Sequence, residues 1–306
     1  MRKLSTIAFL ALAAAPAFAA DLPSQKAPLL PPPPPPPMWT GFYVGLNAGG
    51  TWSGSSAVNT VGYPGACSAG VFGCPANSFA YAGLATGATP AGTSAFIGGG
   101  QIGYNWQVYN QFVVGVEADI QGVASSQANG SYAVSAVDSA TGATYGSIVN
   151  TARSLDYLGT VRGRLGWLAT PTLLIYGTGG LAYGGVNAST TIGQAVIAPP
   201  GLAGTILQSA GAGALSDTRV GWAAGGGVEW MFWPNWSAKV EYLYYDLGSV
   251  SYGLSPMVAR TVFLPPFDIF GTSFATSSAR FSGNIVRAGL NYHFNWGAAA
   301  PILAKY

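Results

Sequence analysis

The stretch Ser282-Gly-Asn-Ile-Val-Arg-Ala-Gly-Leu-Asn-Tyr-His-Phe294 decides the fold. Read with a period of two, Val286, Ala288, Leu290, Tyr292 and Phe294 share one face, and Arg287, Gly289, Asn291 and His293 share the other. This is a strand with one apolar and one polar face. In a soluble sheet the apolar face turns inward. In a membrane barrel the pattern inverts, with apolar residues toward lipid and polar residues toward the lumen. The rest of the chain chooses between the two.

Seven further segments alternate in the same way, near 41–52, 95–107, 112–124, 153–168, 173–187, 218–232 and 237–250. The links after the second, fourth and sixth segments are tight: Tyr109-Asn-Gln111, Thr170-Pro-Thr172 and Trp233-Pro-Asn-Trp236. The other links, near 53–93, 125–151, 188–216 and 253–278, are long and rich in Gly, Ser, Ala and Thr. Short turns on one side and long loops on the other are the asymmetry of an outer-membrane barrel. The expected fold is all-β: an eight-stranded antiparallel up-and-down transmembrane β-barrel, with short periplasmic turns and long extracellular loops.

Composition agrees. Only 7% of the 306 residues are charged, against about 25% in an ordinary soluble domain. Mean hydropathy is only +0.33, and beyond the N-terminus no run approaches the roughly 20 apolar residues of a spanning helix. These values exclude an ordinary soluble domain and a helical membrane protein. The 44 glycines and 13% aromatics suit many strands, tight turns and aromatic girdles.

The ends are read separately from the barrel. Arg2 and Lys3, the apolar run Ile7 to Ala15 and the small-x-small Ala17-Phe-Ala19 mark residues 1–19 as a secretory signal peptide. Removing Arg2 and Lys3 lowers the basic count from 12 to 10, equal to the 10 acids. The mature chain is then formally neutral, which excludes a basic nucleic-acid face. Residues 20–38 include the seven prolines Pro31 to Pro37. Such a run adopts polyproline II, about 3.1 Å per residue, and makes a semi-rigid periplasmic stem. It is read as a plain tail, with a partner-binding segment as the alternative. Residues 39–294 are the barrel and 295–306 a C-terminal extension. Cys67 and Cys74 are close in sequence and exported, so they are read as a disulfide stapling a surface loop.

Charges within the strands share one face. Glu117, Asp119, Arg162, Arg164, Arg219, Glu229, Lys239, Glu241 and Arg287 all fall opposite the aromatics. Mixed signs are expected in a narrow interior, because a buried charge without a partner is costly. On the lipid face an Arg or Lys at mid-membrane costs about 2–4 kcal/mol. Trp106, Trp167, Trp230, Trp233, Trp236, Tyr292 and Phe294 cluster at strand ends beside the short turns, as a girdle at one membrane interface.

Four motifs occur in order: Trp39-Thr-Gly-Phe-Tyr-Val-Gly45, Gly177-Thr-Gly-Gly-Leu-Ala-Tyr183, Lys239-Val-Glu-Tyr-Leu-Tyr-Tyr-Asp-Leu-Gly248 and Val286-Arg-Ala-Gly-Leu-Asn-Tyr-His-Phe294. Together they resemble the alphaproteobacterial outer-membrane immunogenic or porin-like proteins, whose barrel is similar to the OmpA-type membrane domain. The resemblance implies a surface-exposed outer-membrane barrel associated with envelope integrity and host contact. Some relatives bind haemin, and no catalytic motif transfers. It also implies a terminal aromatic signal read by the barrel-insertion machinery. Tyr292 and Phe294 match it, but residues 295–306 follow, so either Phe294 serves internally or Tyr306 is used.

The leading functional reading is an outer-membrane protein with a structural and surface-interaction role. Its expected partners are outer-membrane lipid and lipopolysaccharide, peptidoglycan through the stem, and host or surface ligands through the loops. The alternative is a narrow channel for small solutes, although eight strands leave an interior that side chains just fill. An envelope enzyme or a haemin site would rest on His293, the one histidine, which stands beside Asn291 rather than an acid. No enzyme activity and no cofactor are expected.

Overall fold

The structure, a computed structural model, describes residues 39–67, 74–109, 111–124, 127–139, 142–197, 206–262 and 268–294. The signal peptide, the stem through Met38 and the extension ending in Tyr306 lie outside these residues, as do the side chains of Cys67 and Cys74 and hence the expected disulfide. In chain order the elements are β1 (Gly41–Ser53), β2 (Ala57–Cys67), α1 (Cys74–Ala85), β3 (Gly87–Pro90), β4 (Ser94–Val108), β5 (Phe112–Ala124), β6 (Ala128–Val137), β7 (Thr144–Thr170), β8 (Leu173–Ile197), β9 (Ile206–Trp233), β10 (Trp236–Gly253), β11 (Met257–Val262) and β12 (Asp268–Phe294).

All strand pairs are antiparallel. The ring runs β1-β4-β5-β7-β8-β9-β10-β12 and closes where β1 pairs β12, from Phe42↔Phe294 to Ser53↔Gly283. Closure leaves no unpaired edge at this level, and so no backbone groups bare of partners. Short turns join β4 to β5, β7 to β8 and β9 to β10. At the last of these, Asn235 takes φ 70, and its carbonyl accepts from the His293 amide at 2.7 Å. That bond ties the turn to the end of β12.

The long links differ from expectation. Most of their described residues are strand rather than loop, which gives twelve strands among the described residues instead of eight. Four short strands continue ring strands past the far end of the ring. β2 prolongs β1 along β12, β6 prolongs β5 along β7, and β11 prolongs β10 along β12. β3 leads into β4 and pairs β2. The four long strands β7, β8, β9 and β12 run into the same extension without a break. The sequence hid this because the outward residues are small and polar, so alternation is faint. On β8, Val186, Ile192 and Val196 are buried, while Ser189, Thr191 and Gly193 between them read as loop. Ladder hydrogen bonds are backbone bonds and do not need an apolar outer face. Pro256, which lacks an amide hydrogen, marks the break between β10 and β11. The helix α1 was also not expected. It lodges in the extension by Tyr81 and Leu84 against Tyr145 and Val196.

The faces are inverted relative to a soluble protein. Leu46 and Leu165 are 73% and 63% exposed, while Arg162 and Arg287 are each 1% exposed. Two aromatic belts bound the apolar band. Trp106, Trp167, Trp230, Trp233 and Trp236 ring the turn end, all exposed. Trp52, Phe96 and Trp222 form a second exposed belt that the sequence reading did not identify; there the Trp222 and Tyr244 rings lie 5.4 Å apart. On β7, Tyr157 stands at the second belt and Trp167 at the first. That separation, at about 3.3 Å per residue and a tilt near 40°, gives a band of about 25 Å, the height of a barrel's lipid-facing zone.

Val161 lies in the middle of this band and is exposed. Val161→Arg is expected to destabilise folding in phospholipid vesicles by about 2–4 kcal/mol, measured by denaturant titration. Thr191→Arg, on the extension, is expected to change little. Equal effects at the two positions would place the band elsewhere.

Candidate functional site

The ring's interior is built by the inward residues of its strands. The period of two sends Glu117 and Asp119 inward from β5, Arg162 and Arg164 from β7, Glu229 from β9, Lys239 and Glu241 from β10 and Arg287 from β12. These four carboxylates and four cations form one network, and none of the eight side chains is more than 3% exposed.

Glu117 is the hub. It accepts from Arg162 Nη2 at 2.6 Å, Lys239 Nζ at 2.8 Å and the Tyr43 hydroxyl at 2.6 Å. Asp119 accepts from Arg162 at 2.8 Å, Arg287 at 2.9 Å and Thr160 at 2.8 Å. Glu241 takes Arg162 Nη1 at 2.9 Å and Arg287 at 2.6 Å. Arg162 therefore touches three carboxylates on two other strands, β5 and β10. Arg164 turns the other way, to Glu229 at 2.6 Å, and its guanidinium lies 4.0 Å above the Tyr176 ring. That stacking accompanies an Nε with no hydrogen-bond partner.

Glycines make room for these long side chains. A Cβ on Gly103 would run into the Tyr43 ring, and one on Gly289 would stand 3.2 Å from the Lys239 stem. Both glycines sit inward on strands adjacent to the groups they accommodate.

The network is closed above and below. At the turn end Trp39, Val113, Leu168, Leu174, Tyr176 and Met231 form an apolar floor. Trp39 is 1% exposed, its indole donates to the Pro171 carbonyl at 3.0 Å, and its edge meets the His293 ring at 5.7 Å. On the other side Ile97, Leu158, Ala182, Ala223, Leu243 and Ile285 belong to a second apolar layer. The charges thus lie between two apolar layers.

Arg219 does not join them. It lies on β9 beyond Ala223, across the second apolar layer, pairs Asp217 at 3.6 Å and is 38% exposed. The inward parity was read from sequence, but height along the strand separates Arg219 from the lumen. Tyr292 and Phe294 end β12 with their rings 5.0 Å apart, and Phe294 pairs Phe42.

His293 has neighbours the sequence did not reveal. Its Nε2 lies 2.8 Å from Ser237 Oγ and 3.4 Å from Glu229 Oε1. Ser237 also donates to Glu229 at 2.5 Å, and Asn291 donates to it at 2.7 Å. A Ser-His-acid triad requires the acid on the other ring nitrogen; here acid and hydroxyl share one. The histidine is 3% exposed, under the Trp39 floor. The arrangement satisfies a buried carboxylate. Tyr43, Thr160, Tyr176, Ser237 and Asn291 are the partners that sequence reading passed over. Their one signal was the parity they share with the charges.

The family model described as outer membrane protein beta-barrel domain matches residues 5–294. The 31 kDa outer-membrane immunogenic protein of Brucella melitensis biotype 1 is 33% identical over 298 residues, 96% of this chain and 100% of the relative. The 22 kDa outer membrane protein of Rhizobium leguminosarum bv. viciae is 33% identical over 158 residues, 51% of this chain and 56% of the relative. Of solved structures, OprG from Pseudomonas aeruginosa aligns at TM-score 0.37 and 10% identity, over 83% of this chain and 97% of its own.

Removing one partner from a buried network leaves the others uncompensated, at about 3–5 kcal/mol. Arg162→Met is expected to cost that much, read as an earlier loss of the folded band on heating in detergent before electrophoresis. Arg219→Met is expected to leave the band unchanged. A silent Arg162→Met would mean the network is not closed as described.

Proposed function

The chain belongs to the outer-membrane protein β-barrel family, and from that premise we propose that it is a sealed envelope anchor rather than a pore. It lies in the outer membrane. Its barrel holds a strand-built extension outside the cell, and its role is structural and surface-interacting. The relatives named as immunogenic proteins are consistent with an extension that meets the surroundings.

One observation carries this reading. The lumen is filled by a neutral ion network between two apolar layers. A conducting filter needs carbonyls or charged groups that line a water-filled path. Here each charge is consumed by another, and Trp39 closes the turn end. The turn end is then periplasmic, because short turns face the periplasm in such barrels. Catalysis finds no support in the geometry of His293.

Planar bilayers test it. The full mature chain is expected to insert without regular current steps, and an Arg162→Ala/Arg164→Ala variant is expected to show leak that wild type lacks. Reproducible wild-type steps whose ion selectivity shifts in the variant would replace the anchor with a channel.

A further inference from the structure

The outward face of β7, β8 and β9 crosses the apolar band and then continues upward. On β7 the change falls at Asp156, where the ladder with β8 slips between Leu155 and Tyr157. Below the slip the outward residues are Val161, Leu165 and Trp167. Above it they are Ser154, Ala152, Asn150, Ile148 and Gly146. The same replacement occurs across the ladder. Asn150 pairs Thr191 and Thr191 pairs Ala212; Ser154 pairs Asn187 and Asn187 pairs Ser216.

Two properties of this wall stand out. The first is charge. Above Asp156, no described outward residue of β6, β7, β8 or β9 is charged. Of the charged side chains at that height, Arg153 points inward and is buried, donating to the Ser55 carbonyl at 2.8 Å, and Asp217, level with Leu155 through Val186, has inward parity and pairs Arg219. A surface facing only water carries many charges, roughly a quarter or more of its residues. The second is shape. Three concavities of about 320, 350 and 630 Å³ follow one another up the wall. The first two share Ala152 and Ser189. The third begins one outward row higher, at Ile148 and Gly193. Together they form a trough from Ser154 to Gly146, about 26 Å along the strand. Its sides offer hydroxyls and amides, and its floor is kept low by Gly146 and Gly193. A Cβ at Gly193 would meet nothing within 4 Å.

We propose that this trough seats the neutral sugar chain of the lipopolysaccharide around the barrel. The inference rests on the sealed-anchor reading for its orientation, with the extension outside. The chemistry points to sugar. Acyl chains end at the aromatic belt below the trough, and its one lining cation, Arg153, is buried with its guanidinium turned to the Ser55 carbonyl, so no free cation is offered to a phosphate. The trough's hydroxyl and amide groups match sugar hydroxyls, which both donate and accept. Position points to the membrane-tethered source. The trough opens directly above the second aromatic belt, where the lipid ends, and runs away from it as a tethered glycan does.

The test uses the full mature chain in three kinds of vesicle: lipopolysaccharide with its complete glycan, lipid A alone, and phospholipid. The midpoint of heat unfolding is measured in each. With the complete glycan it is expected to rise by about 3 °C or more over lipid A. A Thr191→Glu/Gly193→Glu variant, which fills and charges the trough at exposed positions, is expected to lose that rise while matching wild type in lipid A. Equal wild-type midpoints in lipid A and complete glycan would overturn the proposal, as would a rise that survives in the variant. Oligosaccharide cut free of its lipid is added to the phospholipid arm. If it reproduced the full rise there, the tethered source would be wrong. Regular current steps in bilayers would sink the sealed anchor and leave these midpoints to be judged separately.

Discussion

A charge removed from water must meet an opposite charge, and the barrel is arranged around that requirement. Glu117, Asp119, Glu229 and Glu241 balance Arg162, Arg164, Lys239 and Arg287 with no excess of either sign. Arg162 joins β5, β7 and β10 through three carboxylates. The network also opposes slippage. A shift of one residue on any of these strands would turn its charges to lipid and its apolar residues to the lumen. Lipid outside and ions inside thus specify the same register from opposite faces.

The two ends of the barrel differ in kind. At the turn end the chain spends its tryptophans. Trp39 seals the inside by bonding Pro171 and packing on His293, while Trp106, Trp167 and Trp236 stand outside. At the other end the wall does not stop with the lipid. It continues as sheet, stiffened by α1 and by inward residues such as Val149, Val186 and Ile192. Among the described residues, the outward face of β6 to β9 beyond Asp156 is then strand surface without charge. Such a surface favours extended contact over charge-steered capture.

Much of this was legible in the sequence because a strand has a fixed period. Alternation in Val286–Phe294 separated the faces, and the same alternation placed eight of nine charges on the side where they meet. The ninth, Arg219, shows the limit: parity gives the face of a residue but not its depth. The extension was missed because Ser, Ala, Gly and Thr on an outward face carry no contrast with water. The helix α1 was missed inside a segment that sequence had assigned to loop.

By itself, then, the sequence determined an exported all-β chain with inverted faces, tight turns on one side and a charge-bearing interior. These are local properties, readable within ten or so residues because side chains alternate along a strand. Only the tertiary structure decided which charges pair, that they lie between two apolar layers, and that the long links are mostly wall among the described residues. Lys239 and Glu117 are 122 positions apart and lie 2.8 Å from each other. Their meeting depends on ring closure and on the stagger between strands, which no single strand contains.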